Sequence, residues 1–391
     1  MNARIYLDNA ATTEMLPEVS YAMEPYFIKK YGNASTSYEL GVEAKKAIEL
    51  AREQVAASIM AQPSEIYFTS GGSESDNWAI KNTAGERKRF GKRIITSKIE
   101  HHAILHSCEY LDELGYRVDY LDVDKDGIVV LNQLEKWIRD SEYSMRPEER
   151  VTLISVMYAN NEIGTLQPIE EIGKLARRKN IVFHTDAVQA VGQVPISVKR
   201  MPVDLLSASA HKFHGPKGVG FLYVREGVEL PSFIHGGAQE RGKRAGTENV
   251  AGIVGMAKAL TLATKEMGYK ARELTRLRNH FAHRVLREIP YSRLNGHPEK
   301  RLPGNLNFSF QQIQGAELLV LLEEEGIFAS AGSACNSGTT TISHVIQALD
   351  VPKEYAYGTI RFSMGRDTTL KDVDKTVDAL KKSVRLLRAE D

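Results

Sequence analysis

The residue type best placed to do chemistry is a lysine. Lys212 stands in Ser207-Ala208-Ser209-Ala210-His211-Lys212-Phe213-His214-Gly215-Pro216-Lys217-Gly218, a small, polar, glycine-containing stretch that follows an apolar run. An amine is a nucleophile near neutral pH only when its pKa is depressed, and a crowded, partly desolvated strand end can supply that. Lys217 has similar neighbours but lies farther from the run, where a capping or water-facing lysine is expected. Asp186 precedes Lys212 by 26 residues, in His184-Thr185-Asp186-Ala187-Val188-Gln189. A carboxylate there could keep a pyridinium nitrogen protonated, the condition that makes a pyridoxal ring an electron sink. Alone, an Asp after a strand is more often a turn or cap residue.

A third segment, Thr69-Ser70-Gly71-Gly72-Ser73-Glu74-Ser75-Asp76-Asn77, leaves an apolar run through two glycines and opens a helical pattern. Such a turn aims backbone N–H groups and a helix N-terminus at an anion, with Ser73 adding a hydroxyl donor. It lacks both the Gly-Lys-Ser/Thr ending of a Walker loop and a G-x-G-x-x-G fingerprint. A plain strand-to-helix turn with a serine cap fits this stretch equally well. Cup, Asp and Lys in this order, each after a strand, match what a pyridoxal-phosphate site requires. His101 and His102 admit a zinc reading, but adjacent histidines point in different directions and no thiol or carboxylate has matching spacing, so no metal is expected.

Several elements must position these residues. Short β-branched or aromatic runs alternate with helical patterns: Ile66–Ser70, Arg93–Ser97, Val151–Tyr158, Ile181–Thr185, Val203–Ala208 and Val219–Val224. The alternation predicts an α/β domain with a mostly parallel sheet, whose ligands bind at the carboxyl ends of the strands. Val250–Leu286 reads as a long helix linking two domains. Beyond it, strands at Asn305–Phe310, Ile327–Ala329 and Thr359–Ser363 and helices at Ala316–Glu325 and Leu370–Ala389 predict a smaller α+β domain.

Composition restricts the partners. With 391 residues the chain is long enough for two cores. Lys and Arg number 51 against 50 Asp and Glu, so no global field favours nucleic acid or an anionic membrane. The basic run Lys81–Arg93 has no interleaved aromatic stacking pair and reads as a solvated helix face. The two cysteines, Cys108 and Cys335, exclude a disulfide framework and suggest a reducing, cytoplasmic setting. No run approaches the roughly 20 apolar residues of a bilayer span, and Met1–Thr13 lacks the pattern of a secretory leader.

These segments resemble the cysteine desulfurases of the NifS/IscS type, within the class V aminotransferase group of fold-type I pyridoxal-phosphate enzymes. The similarity runs along nearly the whole chain. It includes Tyr6-Leu7-Asp8-Asn9-Ala10-Ala11-Thr12-Thr13, the cup from Ser70 to Asn77, Glu100-His101-His102-Ala103 and Asn160-Asn161-Glu162-Ile163-Gly164-Thr165. It continues through His184–Ala190, Ser207–Gly220, Gln239–Asn249, Leu302-Pro303-Gly304-Asn305, Gly332-Ser333-Ala334-Cys335 and Ile360-Arg361-Phe362-Ser363.

The resemblance implies a large domain over 15–260 with a mostly parallel seven-stranded sheet. The small α+β domain would then comprise 1–14 and 261–391, with a mobile loop near 330–342. It implies that Lys212 carries pyridoxal 5'-phosphate, Asp186 pairs with the ring nitrogen, and His101 stacks on the ring. Gln189 and Asn161 would address the ring hydroxyl. Gly72, Ser73, Ser209 and His211 would hold the phosphate, and Thr247 would reach the phosphate of a second subunit in a homodimer. Arg361 would clamp the carboxylate of L-cysteine, with Asn161 nearby, a task that suits the planar fork of arginine.

Cys335 would take the substrate sulfur as a persulfide, with His101 a candidate to shuttle the thiol proton, and would pass the sulfur to an iron–sulfur scaffold or a tRNA-thiolation protein. Gly332, Ser333, Ser337 and Gly338 suit that role, because a carrier thiol must meet substrate and then present itself outside. Cys108, in the helical pattern Ala103–Leu114 beside Leu105 and Leu111, reads instead as an inert packed thiol.

The chain departs from the family at Asn33-Ala34-Ser35-Thr36-Ser37-Tyr38, where Asn-Pro-Ser-Ser-x-His is common, and at Ala331, where a second serine is usual. Any role for that histidine does not transfer. A selenocysteine lyase, another class V enzyme without a cysteine nucleophile, and a non-catalytic adaptor on the same fold are the competing readings.

Overall fold

The computed structural model describes residues 4–331 and 341–389. Twelve strands among the described residues form three sheets. In chain order they are β1 (Ile5–Tyr6), β2 (Ile66–Thr69), β3 (Arg93–Ser97), β4 (Arg117–Leu121), β5 (Val151–Ser155) and β6 (Val182–Asp186). There follow β7 (Leu205–Ser209), β8 (Gly220–Val224), β9 (Ser292–Leu294), β10 (Asn305–Phe310), β11 (Ile327–Phe328) and β12 (Thr359–Ser363).

The large sheet has seven strands in the order β2-β8-β7-β6-β5-β3-β4, parallel except for β8, which runs antiparallel to both its neighbours. Its central strands are apolar at successive positions because both faces are covered. Ile95, Ile154, Phe183, Leu206 and Phe221 enter the main hydrophobic cluster on one face. Their neighbours Ile94, Leu153, Val182, Leu205 and Leu222 enter a separate cluster on the other. The period of two along each strand therefore divides one continuous apolar run between two cores. The sequence pattern misses β4, an edge strand whose Arg117, Val118, Asp119 and Tyr120 are exposed or only half-buried.

The second layer is the antiparallel sheet β12-β10-β9, with β1 and β11 pairing in parallel beside it. Its core gathers Phe281, Phe308, Phe310, Phe362, Val377 and Leu380. The 39-residue helix Val250–Glu288 contributes to both cores. Ala251, Met256 and Leu260 pack in the first and Leu277, Phe281 and Val285 in the second, so one rigid rod fixes the two sheets relative to each other. No described helix is long and apolar enough to cross a membrane.

Candidate active site

The carboxyl ends of β2, β6 and β7 open into a cavity of about 310 Å³. Register places two of these ends together, since Thr69 on β2 and Ser209 on β7 both pair with Gly220 on β8. A Cβ at Gly220 would lie 2.4 Å from the Ala208 carbonyl and 2.7 Å from Gly71 Cα, so only glycine lets the cup close over the strand. Gly71 itself has φ of 149°, and a Cβ on Gly72 would meet Val188 Cγ2 at 2.6 Å. The helix Gly72–Arg87 begins here, with Ser73 at its first turn and Ser209 Oγ beside Gly71. Glu74 braces the turn by accepting from Ser70 N–H at 2.8 Å and from Arg244 Nε at 2.9 Å, contacts that hold its carboxyl below the usual range against the opposing effect of burial.

Lys212 lies in the short turn Ala210–Lys212 after β7, and its Nζ donates to the Ala10 carbonyl at 2.7 Å and the Ala11 carbonyl at 2.8 Å. Gln189 reaches the same segment, donating from Nε2 to the Ala10 carbonyl at 2.9 Å. Its Oε1 is buried without a hydrogen-bond partner among the described residues. His211 contacts Thr12 Oγ1 through Nδ1 at 3.1 Å, and burial, then Lys212 and Lys217, push its pKa down to about 4, so the ring is neutral. Lys217 is exposed.

Asp186 ends β6, buried, with Oδ1 accepting from Val188 N–H at 2.9 Å. Burial raises its pKa, opposed by His101, the Val188 N–H and Lys212. Asp76 lies fully buried nearby, raised well above the carboxylate range by burial and then by Asp186. His184 Nε2 is 3.7 Å from Asp76 Oδ1, yet burial pushes His184 down to about 3. With the imidazole neutral, the contact is not an ion pair. His184 is held instead by Ser155 Oγ at 2.9 Å and Ser207 Oγ at 3.0 Å.

His101 caps the helix His102–Glu113, its Nδ1 accepting from Ala103 N–H at 3.1 Å. Burial lowers its pKa, so the ring is neutral at pH 7. With the Nδ1 lone pair engaged, the proton sits on Nε2. This ring is set to stack or to donate rather than to act as a base.

Across the cavity, Arg361 on β12 donates from Nη2 to Asp8 Oδ1 at 2.6 Å and from Nη1 to the Asn161 carbonyl at 3.1 Å. The backbone of Arg361 pairs with Ser330, and Ser343 Oγ donates to Glu162 Oε2 at 2.6 Å. Both flanks of the segment that contains Cys335 are thus tied to cavity walls. Cys335 lies outside the described residues.

Lys212, Asp186, Gln189, Asn161, His101, Gly72, Ser73, Ser209, His211 and Arg361 all line this one cavity. Thr247 does not line it; it is exposed in the stretch that follows Arg244. Asp76, Glu100, Glu162 and His344 also line the cavity; the first three fall in segments that carry the resemblance, whereas nothing in the sequence around His344 marks it. Among the described residues no group of three histidines, cysteines or carboxylates could hold a metal ion. Cys108 is buried, which pushes its thiol up to about 12 and leaves it inert.

Residues 5–376 match the aminotransferase class-V family model. The chain is 51% identical over 387 residues to the cysteine desulfurase IscS of Methanosarcina thermophila, covering 99% of this chain and 93% of that protein. It is 49% identical over 390 residues to the cysteine desulfurase IscS of Clostridium botulinum, covering 99% and 96% respectively. Among solved structures, a NifS-like protein superposes with a TM-score of 0.90 at 38% identity, over 98% of this chain and 100% of that one. SspA in complex with cysteine superposes with a TM-score of 0.78 at 36% identity, over 93% and 99%. With this identity sustained over the whole length and the seven-stranded fold shared, the chain belongs to the class V aminotransferase family as a cysteine desulfurase of the IscS and NifS type.

Proposed function

We propose that the cavity binds pyridoxal 5'-phosphate on Lys212 and converts L-cysteine to L-alanine, with the sulfur passing to Cys335 as a persulfide. The observation that carries this reading is the convergence on one cavity of a lysine amine, a buried carboxylate, an anion-binding turn and an arginine. The donor set fits the group. Gly72 leaves no room for a Cβ against Val188 Cγ2, Ser73 follows it in the first helical turn, and Ser209 and neutral His211 stand alongside. Asp186 suits the ring nitrogen, and the unpartnered Gln189 Oε1 suits the ring hydroxyl. When bound, the cofactor supplies an electron sink for the bonds at the substrate Cα.

Arg361 binds the substrate carboxylate and orients the amino acid, with Asn161 beside it. Lys212 takes the Cα proton. Neutral His101 covers the ring face and offers Nε2–H to the substrate sulfur. The Cys335 thiolate attacks that sulfur, the new S–S bond forms as Cβ–Sγ breaks, Cβ keeps the electron pair and is protonated, and the proton held by Lys212 returns to Cα, which gives alanine. Cys335 is five residues beyond Ser330, a stretch that can span at most about 18 Å.

The division into 15–260 and 1–14 with 261–391 belongs to the same reading, supported by the separate cores joined by the helix Val250–Glu288. So does a homodimer: Tyr21, Phe27, Ile28 and Tyr31 are 63–71% exposed, an apolar run suited to a second copy, and exposed Thr247 is available to that copy's phosphate. The acceptor would be a thiol-bearing scaffold for iron–sulfur clusters or tRNA thiolation.

Mass spectrometry of the protein after L-cysteine tests the central step. A gain of one sulfur on Cys335, with alanine formed, is expected. Full alanine and sulfide production by Cys335→Ala would overturn it.

A further inference from the structure

We propose that Asp8 is a built-in counter-ion of Arg361 that competes with the substrate carboxylate and so sets a deliberately weak affinity for L-cysteine. This rests on the reading of Arg361 as the carboxylate clamp.

Asp8 and Arg361 are 353 residues apart in sequence, but the backbone bridge between Asp8 and Ser363 brings them side by side. The guanidinium is nearly wholly buried and Asp8 is mostly so, their side chains 3% and 19% exposed. Nε and Nη2 form the edge of the fork that a carboxylate grips with two parallel hydrogen bonds. Asp8 takes that edge by one end only: Oδ1 accepts from Nη2 at 2.6 Å, while Nε is buried without a hydrogen-bond partner among the described residues. The edge is therefore half used. A substrate carboxylate that takes Nε must share Nη2 with Asp8 or displace it, against the repulsion of a second negative charge.

Asp8 is not what places the arginine. Arg361 is fixed by its pairing with Asn307 across β10, by the bridge to Ser330, and by donation from Nη1 to the Asn161 carbonyl. Removing the Asp8 charge leaves those supports and frees the Nη2 donor. The competition acts on the carboxylate common to substrate and product, so both should respond by the same factor. A weakly held product also leaves sooner.

The test measures KM for L-cysteine and, by cofactor absorbance, the Kd for L-alanine in the holoenzyme and in Asp8→Asn. Expected is a fall of about three- to tenfold in both constants, with kcat within about twofold. An unchanged or raised Kd for L-alanine would overturn the inference. Should Asp8→Asn lack a cooperative melt, Asp8→Ser is judged by the same criterion. Arg361→Ala separates the two readings: an unchanged KM there removes the clamp itself, whereas a raised KM beside an unresponsive Asp8→Asn removes only the role of Asp8.

Discussion

One part of the cavity lining takes Ser73, Asp186, Ser209 and Lys212 from strand ends of a single sheet, whereas another, the assembled wall, brings Asn161, Arg361 and His344 together from three distant stretches. The first wall is rigid because β5 to β8 are buried along their whole length and covered on both faces. The second depends on long-range pairings, such as Arg361 with Asp8 and Ser343 with Glu162. On the proposed function, most groups that would hold the cofactor stand on the rigid wall, and Arg361, which would meet the incoming amino acid, stands on the assembled one with the flanks of the Cys335 segment.

The contrast can be broken experimentally. Variants of the sheet wall should lower kcat, and variants of the assembled wall should move KM. The largest effect is expected for Lys212→Ala, with alanine formation reduced by about 10³-fold or more and borohydride no longer trapping cofactor on that peptide. Asp186→Asn should lower kcat by about 10²-fold while KM moves less than about threefold, since the ring nitrogen loses its charged partner but the carboxylate clamp is untouched.

Behind the sheet wall, Glu240 and Arg52 form a buried pair with two 2.8 Å hydrogen bonds, and Glu240 also accepts from Phe68 N–H on β2. This pair holds Glu240 and Arg241 in the left-handed region, with φ of 45° and 58°. Glu240→Ala would strand a buried guanidinium and should cost about 3–5 kcal/mol in denaturant unfolding.

A smaller effect concerns pH. Burial lifts Glu100 from 4.5 to about 8, and its Oε2 has no partner among the described residues. A carboxyl raised in the folded state gives stability that is complete below its unfolded pKa and is lost as pH rises through about 8. Thermal melts from pH 5 to 9 should therefore show the parent falling relative to Glu100→Gln, by a few degrees at the alkaline end (~2–4 °C per kcal/mol). A constant difference across that range would contradict burial of a neutral acid. The smallest effect is expected for exposed Lys217→Ala, with stability within about 0.5 kcal/mol and unchanged turnover.

Much of the rigid wall was legible in advance because its signals are local. A run of β-branched residues, then glycine, serine or Asp, marks a strand end, and the cup, Asp186 and Lys212 each follow that grammar. Cys108 was legible too, from the apolar residues at helical spacing around it. The edge strand β4 was not, because Arg117 and Asp119 break the apolar pattern where the sheet meets water. Nor was the tautomer of His101, which depends on its capping of the next helix rather than on its residue type.

The sequence by itself determined the order of cup, Asp and Lys, the alternation that builds a doubly covered sheet, and thereby the kind of chemistry the chain can host. Only the tertiary structure decided the charge states of His184 and Glu100, the upward shift of Asp76, and the contact between Asp8 and Arg361. The reason is physical: a pKa shift of several units needs burial by residues remote in sequence, and a half-used guanidinium edge exists only once the two ends of the chain have met.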